Sequence, residues 1–162
     1  MKLNKITKNQ YENLSCVELF SAGKDYNRCY ASITVYGINY KFAWGSDLIE
    51  PVVKELDLDA VAIGVDCNLC IIQLSSKTIL HRVLPSNLFD ICSNDLFVVC
   101  ICETGVVSIN NTDKESVREY ALDDIVEEYQ LDGYRLICKL LNGSLATIDL
   151  RDNNDTHINR YV

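Results

Sequence analysis

Cys67-Asn68-Leu69-Cys70 is the only C-x-x-C spacing in the chain, and two chemistries use such a pair. Tetrahedral zinc needs a second pair at similar spacing, or histidine ligands. The chain supplies Cys100 and Cys102, whose period-two spacing sets both thiols on one face of a strand. His81 and His157 stand at no ligand-like spacing from the pair. A thioredoxin-like redox pair opens a helix after a strand, whereas the residues after Cys70 read IIQL, a strand. Neither a metal nor a cofactor is expected. The eight cysteines read instead as small hydrophobes, several inside apolar runs such as LFVVCICE and YRLICKLL. With no export signal, that usage fits a reducing cytoplasm.

Other chemistries fare no better. Carboxylates abound, but nothing pairs two of them across a cleft as glycoside hydrolysis requires. No G-x-S-x-G elbow, phosphate-cradling glycine loop or H-E-x-x-H is present. His81 lies in ILHRVL, which reads as an edge strand, and His157 is near the end of the sequence, so a Ser-His-Asp arrangement is poorly served. Asp149, Asp152 and Asp155 lack the glycine and terminal glutamate of a calcium loop. Seven glycines are few for a loop-built active site. The expectation is a protein that is not an enzyme and has no catalytic residue.

Composition narrows the partner. The 162 residues make a single expected domain, 1–162, with 48% hydrophobic content and a net charge of −8. A chain that neutralises phosphates needs a basic face, so nucleic acid is disfavoured as a direct ligand. No run approaches the ~18–20 apolar residues of a membrane span. Met1–Leu14 also lacks the apolar core of a signal peptide.

The elements that would position any site come from a repeat. Three segments align, at 52–84, 88–120 and 125–162, each reading strand, acidic turn, long apolar strand, tight turn, apolar strand, polar turn and amphipathic strand. The second strand of each unit is the most continuously apolar, as an interior strand covered on both faces should be. The fourth alternates, as a water-facing edge should. Asp132-Gly133, Asn142-Gly143 and Thr104-Gly105 mark hairpin turns. A degenerate fourth copy precedes them at 17–44, in VELFS, RCYASITVY and YKFAW. Asp47–Leu56 could open a helix capped by Asp47 with Glu50 three residues on, but alignment with the other units makes Val52–Leu56 a strand.

The phrases IGVDCNLCIIQL, CETGVVSIN and LLNGSLATIDL resemble β-propeller blades of the WD or quinoprotein type. The resemblance implies an all-β fold of three four-stranded antiparallel meander units plus the degenerate N-terminal unit. A closed ring takes 4–8 blades. The expected architecture is therefore an open or incomplete propeller-like stack, or a β-sandwich of the same meanders, whose free edge could pair with a second copy.

Charge and aromatics are unevenly spread. ALDDIVEEYQLDG carries Asp123, Asp124, Glu127, Glu128 and Asp132 with no basic residue, and a second acidic group is Glu55, Asp57 and Asp59. Both fall around the first strand and first turn of a unit, so they are expected on one rim. Tyr26, Tyr30, Tyr36, Tyr40, Phe42 and Trp44 crowd nineteen residues. Most should be core, and an exposed part would anchor a protein interface. The small, acidic, untethered, reduced-cysteine profile resembles immunity proteins of bacterial toxin–immunity systems such as contact-dependent growth inhibition. That resemblance implies a non-catalytic inhibitor whose carboxylates block the active site of a basic nuclease toxin. Asp123, Asp124, Glu127 and Glu128, then Asp57 and Asp59, are the residues expected to bind the partner. The alternative is a propeller-like scaffold or sensor domain holding a peptide or small ligand on its axial face. A metal or redox module comes third.

Overall fold

The computed structural model describes residues 1–56, 59–151 and, as strand backbone, 157–159. Its strands form four sheets of four. The first holds β1 (Lys2–Lys5), β2 (Val17–Ser21), β3 (Cys29–Val35) and β4 (Ile38–Trp44), with helix α1 (Lys8–Asn13) between β1 and β2. The second holds β5 (Val52–Leu56), β6 (Ala60–Val65), β7 (Asn68–Gln73) and β8 (Thr78–Val83). The third holds β9 (Leu88–Ser93), β10 (Phe97–Cys102), β11 (Gly105–Asn110) and β12 (Val117–Ala121). The fourth holds β13 (Val126–Asp132), β14 (Arg135–Leu140), β15 (Leu145–Asp149) and β16 (His157–Asn159). Val52–Leu56 is a strand, as repeat alignment predicts, and the competing helix does not form.

Sheets two to four are antiparallel meanders, each strand bonded to the next in sequence. Three apolar layers hold the four sheets together. Ala31, Ile33, Phe42 and Trp44 of the first sheet meet Val61, Ile63, Val65, Cys70 and Ile72 of the second. Ala62, Leu69 and Ile71 meet Ile91, Val98, Cys100, Val107 and Ile109 of the third. Val99, Ile101 and Val106 meet Leu136, Cys138, Ala146 and Ile148 of the fourth. Strands β6 and β10 are buried along their whole length because both faces are covered. Among the described residues no such layer joins the fourth sheet back to the first, so the stack is open.

The first sheet departs from the meander. Its order is β1-β3-β4-β2, with β2 parallel to β4. Strand β1 comes from the lysine- and asparagine-rich start, in which no strand is expected; it is exposed along its length and pairs with β3 as an edge. Helix α1 is set by Thr7-Lys8-Asn9-Gln10, a capping box: Gln10 N donates to Thr7 Oγ1 at 3.2 Å and Thr7 N donates to Gln10 Oε1 at 2.8 Å.

One turn glycine works differently from expectation. Gly133 and Gly143 take left-handed φ values of 55° and 81° in their turns. Gly105 does not; it is the first residue of β11, and a Cβ there would stand 2.9 Å from the Tyr120 carbonyl oxygen. Close approach of β12, not turn geometry, requires glycine at that position.

Candidate binding groove

A meander sends its successive turns to alternate ends, so the stack has two rims. One carries the inter-sheet connections and the second turn of each meander. There Asp66 Oδ2 accepts from Gly45 N at 2.8 Å, Leu88 N donates to Asp66 O, Glu103 N donates to Asn87 O, and Val126 N donates to Glu103 O. The other carries the first and third turns. There Leu74 N donates to Asp59 O at 2.9 Å, Asn94 Nδ2 donates to Gly133 O at 2.8 Å, and Leu150 N donates to Tyr134 O.

These rims divide the expected acidic surface. Asp123 and Asp124 lie in the β12–β13 connection, on the connection rim. Asp59 and Asp132 lie on the opposite rim. The expectation of a single acidic rim is corrected by strand direction: residues before and after one five- or six-residue strand are about 17–20 Å apart. Several carboxylates are also engaged locally. Asp124 Oδ1 accepts from Ile125 N at 2.8 Å. Lys139 Nζ stands 2.7 Å from Glu127 and 4.0 Å from Glu128, and this pairing holds the Lys139 ammonium above its ordinary pKa. Asp57 lies outside the described residues.

The first strands of three sheets meet at Asp90 of β9. Its carboxylate accepts from Tyr129 Oη of β13 at 2.8 Å and from Ile91 N, and it pairs with Lys54 Nζ of β5 at 3.2 Å. Burial pushes the Asp90 pKa up, but these donors outweigh it and hold the carboxyl below its usual value. Burial and the Asp90 charge together push the Tyr129 hydroxyl up. Tyr129 and Lys54 reach Asp90 from two neighbouring sheets, so the crossing is a latch.

The thiols are spread through turns and apolar layers. All eight are free. Cys67 sits in the β6–β7 turn, while Cys70 is buried with its Sγ 3.4 Å from Leu19 O. Cys100 and Cys102 share one face, in the layer between sheets two and three. Burial pushes Cys70, Cys102 and Cys138 up to about 12, which leaves each without thiolate reactivity at neutral pH. Among the described residues no three His, Cys, Asp or Glu side chains gather as a metal site.

A groove of about 460 Å³ lies between the first two sheets, on the rim opposite the connections. The β3–β4 hairpin supplies Val35, Tyr36, Ile38 and Tyr40, and the second sheet supplies Ile72, Leu74, Lys77 and Asp59. Tyr40 and Ile72 are buried parts of the inter-sheet layer, which makes the floor rigid. Tyr36 is 72% exposed and Ile38 41% exposed at the mouth. Tyr36 at φ 47°, Asp59 at 53° and Lys77 at 56° are three of the four non-glycine residues with left-handed backbone among those described, and all three line this groove. Left-handed backbone costs a residue with a side chain roughly 1–2 kcal/mol, and aspartate least. Glycine would remove the cost at each turn. Three side chains are thus kept at one mouth against the local backbone preference. The sequence reading named Asp59 here for its charge and Tyr36 and Tyr40 for their aromatic clustering; Lys77, Ile38 and Leu74 carried no signal.

No family model and no curated protein sequence matches the chain. Solved structures do resemble it. The N-terminal domain of Nup159, a β-propeller, superposes with a TM-score of 0.52 at 11% identity, covering 68% of this chain and 33% of that one. A chain in an S. cerevisiae complex of a Dbp5 variant with Nup159, a Gle1 variant, IP6 and ADP gives 0.50 at 12% identity, covering 67% and 32%. The chain spans about a third of the length of these structures, and at such identity the likeness speaks to fold alone. The chain is an open, propeller-like stack of four β-sheets.

Proposed function

We propose that the chain is a non-catalytic, propeller-like binding domain that seats a short segment of a partner protein in the groove between its first two sheets. The observation that carries this reading is the convergence of Tyr36, Asp59 and Lys77, each in left-handed backbone, on one groove with a rigid apolar floor. Strained residues persist where the surroundings hold them, and they gather at binding sites. Tyrosine at an interface supplies a large contact area with few rotamers to freeze. The net charge of −8 would steer a basic partner to the domain. Eight unpaired thiols suit work in a reducing compartment such as the cytoplasm. The toxin-neutralising reading depends on one anionic capture face, and its carboxylates are divided between two rims, so the groove supports peptide capture better.

The test is a trade between stability and binding. Peptides selected from a random displayed library on the full chain are measured against Tyr36→Gly and Lys77→Gly. Each glycine variant should unfold at equal or higher urea concentration, gaining up to about 1 kcal/mol, while losing at least about tenfold in affinity. Selected peptides that bind both variants as tightly as the parent chain would remove the groove from the function.

A further inference from the structure

We infer that the outer edge of β8 pairs antiparallel with β8 of a second copy, joining the two second sheets into one continuous sheet. This goes beyond the groove reading and does not rest on it. The sheet edges are guarded unequally. Lysines and prolines on an edge, and irregular pairing, keep other strands from adding to it. Lys2 and Lys5 line β1, while β5 follows Pro51 and carries Lys54. The pairings of β2, β9 and β13 each contain a register shift. Strand β12 carries Arg118 and Glu119 side by side. Strand β8 pairs with β7 over all six residues without a shift. Its two ionisable side chains are turned back onto their own chain. Arg82 Nη2 donates to Glu115 Oε2 at 2.8 Å and to Lys114 O at 3.2 Å. The His81 ring stacks on Phe20, with its Nε2 3.2 Å from Asn68 Oδ1.

The ladder fixes which backbone groups are offered. Leu84 N donates to Cys67 O at 2.7 Å, so Leu84 faces β7. By antiparallel alternation Arg82 and Leu80 face β7 as well, while Val83, His81 and Ile79 direct their N–H and C=O groups outward. Among the described residues those outward groups have no hydrogen-bond partner. The usable edge is bounded at both ends. Lys77 turns into left-handed backbone at φ 56°, and Pro85 has no N–H. Residues 78–84 remain, and their midpoint is His81. A second copy that uses the whole edge therefore sets His81 opposite His81 and, by the two-fold axis, Ile79 opposite Val83 twice. Ile79 and Val83 are 38% and 72% exposed, and alternation puts them with His81 on one face of the strand. That face of β8 carries no carboxylate, Lys or Arg, and each Ile79–Val83 pair would cover apolar surface. The edge is its own complement, which selects a second copy over a foreign strand.

The experiment is sedimentation velocity of the full chain over a micromolar-to-millimolar series, at about 0.15 M salt to screen the net charge. The parent chain should show a dimer that grows with concentration. Ile79→Lys and Val83→Lys should each weaken it at least about tenfold. Circular dichroism should be unchanged in both, since each side chain is exposed in the single copy. Ile79→Glu combined with Val83→Lys should restore the dimer, because the register sets these two positions opposite each other. A parent chain that stays monomeric throughout would overturn the inference, and so would a dimer indifferent to either lysine. A double variant that dimerises no better than the single ones would overturn the register and the inference with it.

Discussion

The two ends of the stack present their outer faces in opposite ways. On the first sheet, α1 lies across the outer face: Tyr11 is buried against Tyr30, with ring centroids 5.2 Å apart. Lys41 pins the helix, donating to Tyr11 O at 3.0 Å and Leu14 O at 2.8 Å with its ammonium 4.8 Å from the Tyr11 ring centroid. On the fourth sheet, no described element covers the outer face. Register places Asp132, Arg135 and Asp149 in one row across β13, β14 and β15, with Gln130, Ile137 and Thr147 in the next and Glu128, Lys139 and Leu145 in a third. Cross-strand pairs of opposite charge stabilise a wet sheet face by about 0.2–1 kcal/mol each. One end is roofed and the other solvated. The two end sheets therefore solve the same exposure problem with different chemistry, and the groove opens on the inner side of the roofed sheet.

The comparison can be broken from its strongest side first. Phe42→Ala opens the layer between sheets one and two and should cost about 3–5 kcal/mol, read as the shift in urea midpoint; a smaller loss would mean the first sheet is not integral to the stack. Lys41→Met should cost about 1–3 kcal/mol, since it removes the charged donor that Tyr11 O and Leu14 O share. Hydrogen exchange should then quicken in residues 8–13 while β14 stays protected.

The Asp90 latch lies between the two ends. Its folded pKa is below the unfolded one, so its contribution is complete above the ordinary carboxylate value of 3.8 and is lost as pH falls through the lower folded value. Acid unfolding curves of Asp90→Asn should accordingly be flatter than those of the parent chain below about pH 4. The smallest effect is expected at Arg135→Ala on the solvated face, within about 0.5 kcal/mol. A loss above 1 kcal/mol there would mean that this face is covered after all.

Much of this contrast was already written in the strands. AVAIGV and FVVCIC are apolar at every position, and β6 and β10 are covered on both faces. RLICKL, read with them as a strand covered on both faces, is corrected: β14 is covered on one, because its sheet ends the stack. The helix signal was also present, in Thr7 and Gln10, though a start rich in lysine and asparagine hid it. The site was far less legible. The acidic residues looked alike because they share a place in the repeat, yet the direction of a strand carries its two ends to opposite rims. Lys77 occupies a turn position where glycine is the usual residue, so nothing in its type announced a left-handed backbone.

Alternation, turn residues and a recurrence of 36–37 residues mark the strands of sheets two to four, because local backbone preference and the burial of each apolar face act within a few residues. The groove needed more. Tyr36 and Lys77 are brought to one mouth by the layer that packs the first sheet on the second, a contact between separate hairpins that no local preference encodes.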